Sequence, residues 1–179
     1  MTLTPRKDIR LARDEYVGKR IYFLTICAEN RRPIFREGGR PRAAIEELSK
    51  VASRLNVPVH VYCVMPDHVH FLVEGVTAQA DVVKFVAQWK QGTGFALRQE
   101  LPRRFWQKGF YDHVLRRAED SEAVAWYIWM NPVRKGLAAK PELYPFSGSL
   151  TMEWPRRVAP AEHEWEPPWK DNGSAEGLE

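Results

Sequence analysis

Between Val61 and Gly75 two runs rich in β-branched and aromatic residues are divided by Met65-Pro66-Asp67, and the second run carries His68 and His70 two positions apart. Strand side chains alternate between faces, so this spacing sends both imidazoles to one face, about 7 Å apart at their roots, while Val69 and Phe71 point the other way. Two imidazoles so placed can converge on one metal ion. In a chain with five histidines the same triplet also fits exposed or merely hydrogen-bonded strand residues. Farther along, Tyr127 and Asn131 stand at i and i+4 of a helical run. They share one helical face, where a carboxamide oxygen suits a hard cation such as Mg²⁺ and a tyrosine beside that cation is a candidate nucleophile. Tyr127 also fits plain core packing. Arg134 and Lys135 follow where a phosphate would need them, or where a solvated helix end would carry them.

These residues need a frame to hold them. Ile21–Cys27 is an apolar strand closed by the loop Glu29-Asn30-Arg31-Arg32-Pro33. Residues 41–52 place Ile45, Leu48, Val51 and Ala52 on one helical face, and Asn56-Val57-Pro58 stops that helix. The turn Met65-Pro66-Asp67 is short enough to make the two central strands an antiparallel hairpin. A second helix is expected from a cap at Thr77 to about Arg98, with Val82, Phe85, Val86 and Trp89 inward and with Gly92 and Gly94 loosening its later turns. Phe110–Arg116 reads as a fourth strand. Glu119-Asp120-Ser121-Glu122 caps a third helix, which Pro132 ends or kinks at Asn131. Tyr144–Ser149 is a closing loop that packs back on the domain. The order β-α-β-β-α-β plus a helix predicts an α+β, ferredoxin-like (RRM-like) fold, with a four-stranded antiparallel sheet and the His-x-His strand inside it.

The 179 residues suit one domain with a sizeable core, and 44% hydrophobic and 12% aromatic content argue against disorder as the main state. Cys27 and Cys63 lie in apolar runs without zinc-ligand spacing, which reads as reduced cysteines of a cytoplasmic protein. No stretch approaches membrane-spanning length, and the polar N-terminus has no apolar signal region. Three segments are expected: a basic arm at 1–17 bearing Arg6, Lys7, Arg10 and Arg13, a main domain at 18–150, and a Pro/Trp-rich acidic tail at 151–179. After Trp154 there are three basic and six acidic residues, so the net charge of +4 splits into +7 on the body and −3 on the tail. A basic body suits a polyanion, or simply a solvated surface. The contrast suggests a tail that folds over the body and competes with nucleic acid.

The chain resembles the single-tyrosine HUH transposases, and among them the REP-associated tyrosine transposases of insertion-sequence-200 type. The resemblance rests on Val64–Val73 with its His68-Val69-His70 core, on Trp106 and Phe110-Tyr111-Asp112, on Tyr127–Leu137 and on Tyr144-Pro145-Phe146-Ser147, in order and spacing over residues 18–150. It implies metal-dependent cleavage and transfer of single-stranded DNA, near hairpins, through a 5′-phosphotyrosine. Tyr127 would be the nucleophile. His68, His70 and Asn131 would hold Mg²⁺ or Mn²⁺, although relatives of the smallest insertion sequences often carry glutamine at the third position. Lys90, Arg116, Arg134 and Lys135 are candidate DNA contacts, and Asp112 and His113 are expected near the site. The partner would be single-stranded or hairpin DNA, no membrane is involved, the protein acts as monomer or homodimer, and its place is the nucleoid.

Two other classes fit parts of the pattern. A ferredoxin-like sheet can bind single strands by stacking bases on exposed aromatics without any catalysis. A metallohydrolase would use water in place of tyrosine and leave no protein on its product.

Overall fold

The computed structural model describes residues 13–36, 38–115, 121–151 and 165–167. Arg116, the arm residues Arg6, Lys7 and Arg10, and most of the tail lie outside them.

The first strand, β1, spans Ile21–Cys27, every position buried but the first. Such a run has no polar face to offer water, so it belongs inside a sheet covered on both sides. It lies between β3, His68–Glu74, and β4, Tyr111–Val114. On the far side of β3 come β2, Val59–Val64, and a two-residue strand β5, Ser147–Gly148. All pairs are antiparallel and the order is β4-β1-β3-β2-β5. The ferredoxin-like core is therefore as expected. The fifth strand is an addition by the closing loop, whose Gly148 permits close approach: a Cβ there would lie 2.6 Å from the Tyr62 hydroxyl. Tyr144 fastens the same loop by donating its hydroxyl to the Val64 carbonyl at 2.7 Å.

Helices α1, Arg40–Leu55, and α2, Val82–Ala96, cover one face. Leu48 and Val51 of α1 and Phe85, Val86 and Trp89 of α2 meet Tyr22, Leu24 and Ile26 of β1 and Val69, Phe71 and Val73 of β3 in the main core. The Trp89 indole N–H, which needs a partner once buried, donates to the Ala44 carbonyl at 3.0 Å. Asn56 ends α1 in left-handed geometry, φ 51°, with its N–H on the last carbonyls. Helix α2 begins later than expected. Asp81, not Thr77, is its cap and accepts from the Lys84 N–H at 2.9 Å. Gly92 and Gly94 leave it intact, and Gly92 lets Glu47 of α1 approach.

Helix α3, Ser121–Arg134, covers the opposite face. Val124, Ala125, Tyr127 and Ile128 pack there on Phe23, Val61, Cys63, Met65 and Leu72. Pro132 does not end the helix. A proline removes one N–H and crowds the carbonyl four residues back, yet the helix runs on to Arg134 and the stop comes at Gly136, φ 65°, where the Leu137 N–H returns to the Pro132 carbonyl at 2.8 Å. Asn131 consequently stays helical, one turn from Tyr127.

Both cysteines are free and buried. Among the described residues no helix is long and apolar enough to cross a membrane.

Candidate active site

Alternation along β3 sends His68, His70 and Leu72 to the face that α3 covers, and Phe23, Thr25 and Cys27 of β1 share it, paired with Leu72, His70 and His68 in turn. The covering helix leaves His68 7%, His70 6%, Tyr127 8% and Asn131 5% exposed. Polar groups so buried have to be satisfied by one another.

His68 Nδ1 lies 2.6 Å from Asp67 Oδ1, and His70 Nδ1 lies 2.8 Å from the Thr25 hydroxyl. The Asp67 carboxylate can only accept, so His68 carries its hydrogen on Nδ1 and a lone pair on Nε2. Burial raises the Asp67 carboxyl, but the hydrogen bond and charge of His68 and the nearby Arg31 outweigh it and hold the group below the usual carboxylate range. Burial lowers His68, and the charges of Arg31 and Lys135 push the same way against Asp67, so the ring is neutral at neutral pH.

The two Nε2 atoms face each other at 3.0 Å. One lone pair is fixed by Asp67, so the contact is favourable only with a proton or a cation between the rings. Two imidazole nitrogens this close are a donor set that could be directed at one cation. Among the described residues no group of three or more His, Cys, Asp or Glu side chains is placed to hold a metal. Asn131 carries a neutral amide one helical turn from Tyr127. Its amide nitrogen donates to the Tyr127 carbonyl at 3.2 Å, which leaves the amide oxygen as the acceptor.

Tyr127 stands beside the pair. Its ring centroid is 6.4 Å from that of His70 and 6.0 Å from that of Phe23, which in turn stacks on His70 at 5.4 Å. Arg134 lies over the tyrosine with its guanidinium carbon 4.2 Å from the ring centroid, and it donates to the Tyr127 carbonyl. Tyr127, Asn131 and Lys135 follow at i, i+4 and i+8 along one face, with Tyr127 against His70 and the Lys135 charge felt at His68. Asn131 lies between them in this row, 5% exposed.

Other residues singled out by the sequence take varied places. Lys90 donates to the backbone carbonyls of Gln107 (2.9 Å) and Gly109, which ties α2 to the approach of β4. Asp112 turns to the α1/α2 side and accepts from the Tyr16 hydroxyl at 2.8 Å, away from the histidines. Tyr111, on the site side, packs against the α3 cluster opposite Thr25. His113 shares that side and lies 6.1 Å from the Trp165 ring. Trp165 itself sits edge-on to Phe23 and Tyr127, 5.2 Å from each. Sequence reasoning passed over Thr25, Phe23, Asp67 and Arg31, and it took in Trp165 only as part of a tail expected to fold over the body. Asp67 alone left a signal, as the carboxylate next to the first histidine.

The family model of IS200-like transposases matches residues 16–131, a span that includes His68, His70, Tyr127 and Asn131. A REP-associated tyrosine transposase of Escherichia coli is 25% identical over 134 residues, 74% of this chain and 78% of that one. An uncharacterized protein of Haemophilus influenzae is 22% identical over 160 residues, 72% of this chain and 88% of that one. Among solved structures, that of a REP-associated tyrosine transposase bound to a REP hairpin superposes with a TM-score of 0.65 at 19% identity, over 93% of this chain and 99% of that one, and so shares the fold. The match over well more than half the chain makes this protein a member of the IS200-like transposase family.

Proposed function

We propose that the protein cleaves and rejoins single-stranded DNA with Tyr127 as nucleophile and a divalent cation, Mg²⁺ or Mn²⁺, as cofactor. The observation that carries the reading is the placement of the Tyr127 ring beside His70 on the same buried face as two imidazoles whose Nε2 atoms are 3.0 Å apart. His68, His70 and Asn131 would hold the cation. When bound, it supplies charge that polarises a phosphodiester and stabilises the oxygens of an in-line displacement.

The protein's own groups supply the rest. The Tyr127 oxygen attacks phosphorus as its proton leaves, the bond to the 3′ oxygen breaks, and that oxygen takes up a proton to become a free 3′ hydroxyl. The 5′ phosphate stays on tyrosine. No high-energy bond is lost, so a second 3′ hydroxyl can reverse the reaction with a new strand and no ATP. Arg134 and Lys135 would neutralise the phosphate, a reading supported by the Arg134 guanidinium stacked on the Tyr127 ring. Lys90 contributes through the 107–109 backbone it holds and through its charge, and Arg116 is proposed as a further phosphate contact. One nucleophile makes one covalent link at a time, so complete transposition takes a homodimer or two successive turnovers of a monomer.

Hairpin DNA is the proposed partner, supported by the REP hairpin in the structural neighbour and the basic body. Such a substrate puts the protein in the cytoplasm at the nucleoid. A non-catalytic single-strand binder would expose its sheet aromatics, whereas Phe23 is buried beneath α3. The test is a denaturing gel with a hairpin oligonucleotide labelled at its 3′ end. Label that stays with protein after boiling in detergent, only with divalent cation, supports the tyrosine enzyme. Cleaved DNA without protein points to water as nucleophile, and uncut DNA to a binding module.

A further inference from the structure

Next to the histidine pair the chain takes up an unfavourable backbone with no glycine to ease it. Asn30 and Arg31, consecutive and both carrying side chains, have φ of 55° and 53°, in the left-handed region. Such geometry persists where the surroundings over-determine it, and it gathers at working sites. Here the surroundings are clear. The Arg31 N–H bonds the Ala28 carbonyl at 3.0 Å, the Ala28 N–H bonds the Asp67 carbonyl at 2.8 Å, and the Phe35 N–H bonds the Pro66 carbonyl at 2.9 Å. The exit of β1 is thus stapled to the β2–β3 turn, immediately before His68.

The left-handed step has a product. It folds the Arg31 guanidinium back over the end of β1, where Nη1 donates to the Cys27 thiol at 3.2 Å and lies 3.5 Å from Asp67 Oδ2. The other oxygen of the same carboxylate, Oδ1, is 2.6 Å from His68 Nδ1. Guanidinium, carboxylate and imidazole form one row, and its far end is the Nε2 lone pair that faces His70. We propose that Arg31 is a positioning residue: through Asp67 it sets which His68 nitrogen carries the hydrogen and aims the free lone pair at the cation. The inference rests on the reading of the two histidines as metal ligands, and it extends that reading to a loop residue outside the proposed ligand set.

The chemistry needs such a device. An imidazole binds a cation only through an unprotonated nitrogen, and the partner of its other nitrogen decides which one that is. A carboxylate left without a counter-charge in a half-buried turn can swing to solvent. With Arg31 on one oxygen, the second is held toward His68.

Arg31→Gly is the informative variant, because glycine accepts φ of 53° freely and the fold loses the side chain without new backbone strain. Asp67→Ala is its companion, and Arg31→Lys restores the charge on a different shape. Two readouts are taken on the full chain without DNA: nitrogen NMR of the His68 ring in metal-free protein, and Mn²⁺ titration followed by the paramagnetic resonance of the free ion. In the wild type His68 should be protonated on Nδ1. Arg31→Gly and Asp67→Ala should give a mixture of tautomers, Mn²⁺ binding should weaken about 10–100-fold in Asp67→Ala and less in Arg31→Gly, and Arg31→Lys should recover part of both. An unchanged tautomer and unchanged Mn²⁺ affinity in Arg31→Gly would overturn the proposal, as would a drop in melting temperature with the tautomer intact. A wild type that takes up no Mn²⁺ sinks the metal reading instead, and the tautomer of the metal-free variants still decides whether Arg31 positions the ring.

Discussion

Trp165 is the one described aromatic of the tail that touches the nucleophile, and replacing it has a calculable consequence. Its ring meets Phe23 and Tyr127 edge-on, with centroids 5.2 Å from each. An aromatic pair of this geometry contributes about 0.5–1.5 kcal/mol, so two give about 1–3 kcal/mol. Trp165 is only half-buried, which favours the lower part of that range, about 1–2 kcal/mol. A single strand that must bring a phosphate to Tyr127 has to displace the indole first, so Trp165→Ala should tighten single-strand binding about 5–30-fold. The acidic charge of the tail adds a second, separable part. Truncation before Pro155 removes both, and its advantage over Trp165→Ala should shrink as salt rises, because charge is screened and an aromatic contact is not. The assay is fluorescence anisotropy with a labelled hairpin carrying a single-stranded flank, from low to moderate salt. Unchanged or weaker binding by Trp165→Ala and by the truncated chain at low salt would refute the idea that the tail and DNA compete for this face.

Three further outcomes follow from the packing and charges. His68→Ala and His70→Ala should each abolish cleavage while hairpin binding persists, since phosphate contacts use other side chains; full cleavage in excess chelator would contradict the site. Trp89→Ala, which empties a fully buried position and orphans the Ala44 carbonyl, should cost about 3–5 kcal/mol in urea unfolding. Burial lowers His68 below 6.5, so the unfolded chain gains a proton there before the folded one does; stability is complete above about pH 6.5 and falls on acidification, by at most about 1.4 kcal/mol per pH unit. Urea midpoints of metal-free protein between pH 7.5 and 5.5 should show this slope, and His68→Gln should flatten it.

What the chain announced in advance was local and periodic. β1 is legible to the residue because every position but Thr25 is apolar or aromatic and the loop after it is not. The shared face of His68 and His70 follows from the period of a strand, and that of Tyr127 and Asn131 from the period of a helix. What stayed hidden depends on partners far away in sequence. The reach of α3 past Pro132 is decided by Gly136, which accepts the left-handed cap, and not by the proline. Thr77 and Asp81 are both good caps, and only the packing of Val82 and Phe85 selects the second. The two-residue β5 has no pattern of its own and exists because Tyr62 and Cys63 offer an edge. Arg31 reaches Asp67 only through a backbone conformation that arginine seldom adopts. Lys90 reads as a surface cation, yet spends its hydrogens on two loop carbonyls.

The central claim is that Tyr127 forms the covalent bond, and the direct measurement is to trap the adduct and map the modified peptide. The protein is incubated with Mn²⁺ and a hairpin oligonucleotide, digested with nuclease and protease, and sequenced by mass spectrometry. Tyr127 should carry a 5′-linked nucleotide remnant. Tyr127→Phe, which deletes one oxygen from a ring packed against His70, Phe23 and Arg134, should fold and bind hairpin DNA as before but give no adduct. A remnant on Tyr111, which pairs with Thr25 and packs against the α3 cluster, or an adduct surviving in the Phe variant, would contradict the assignment.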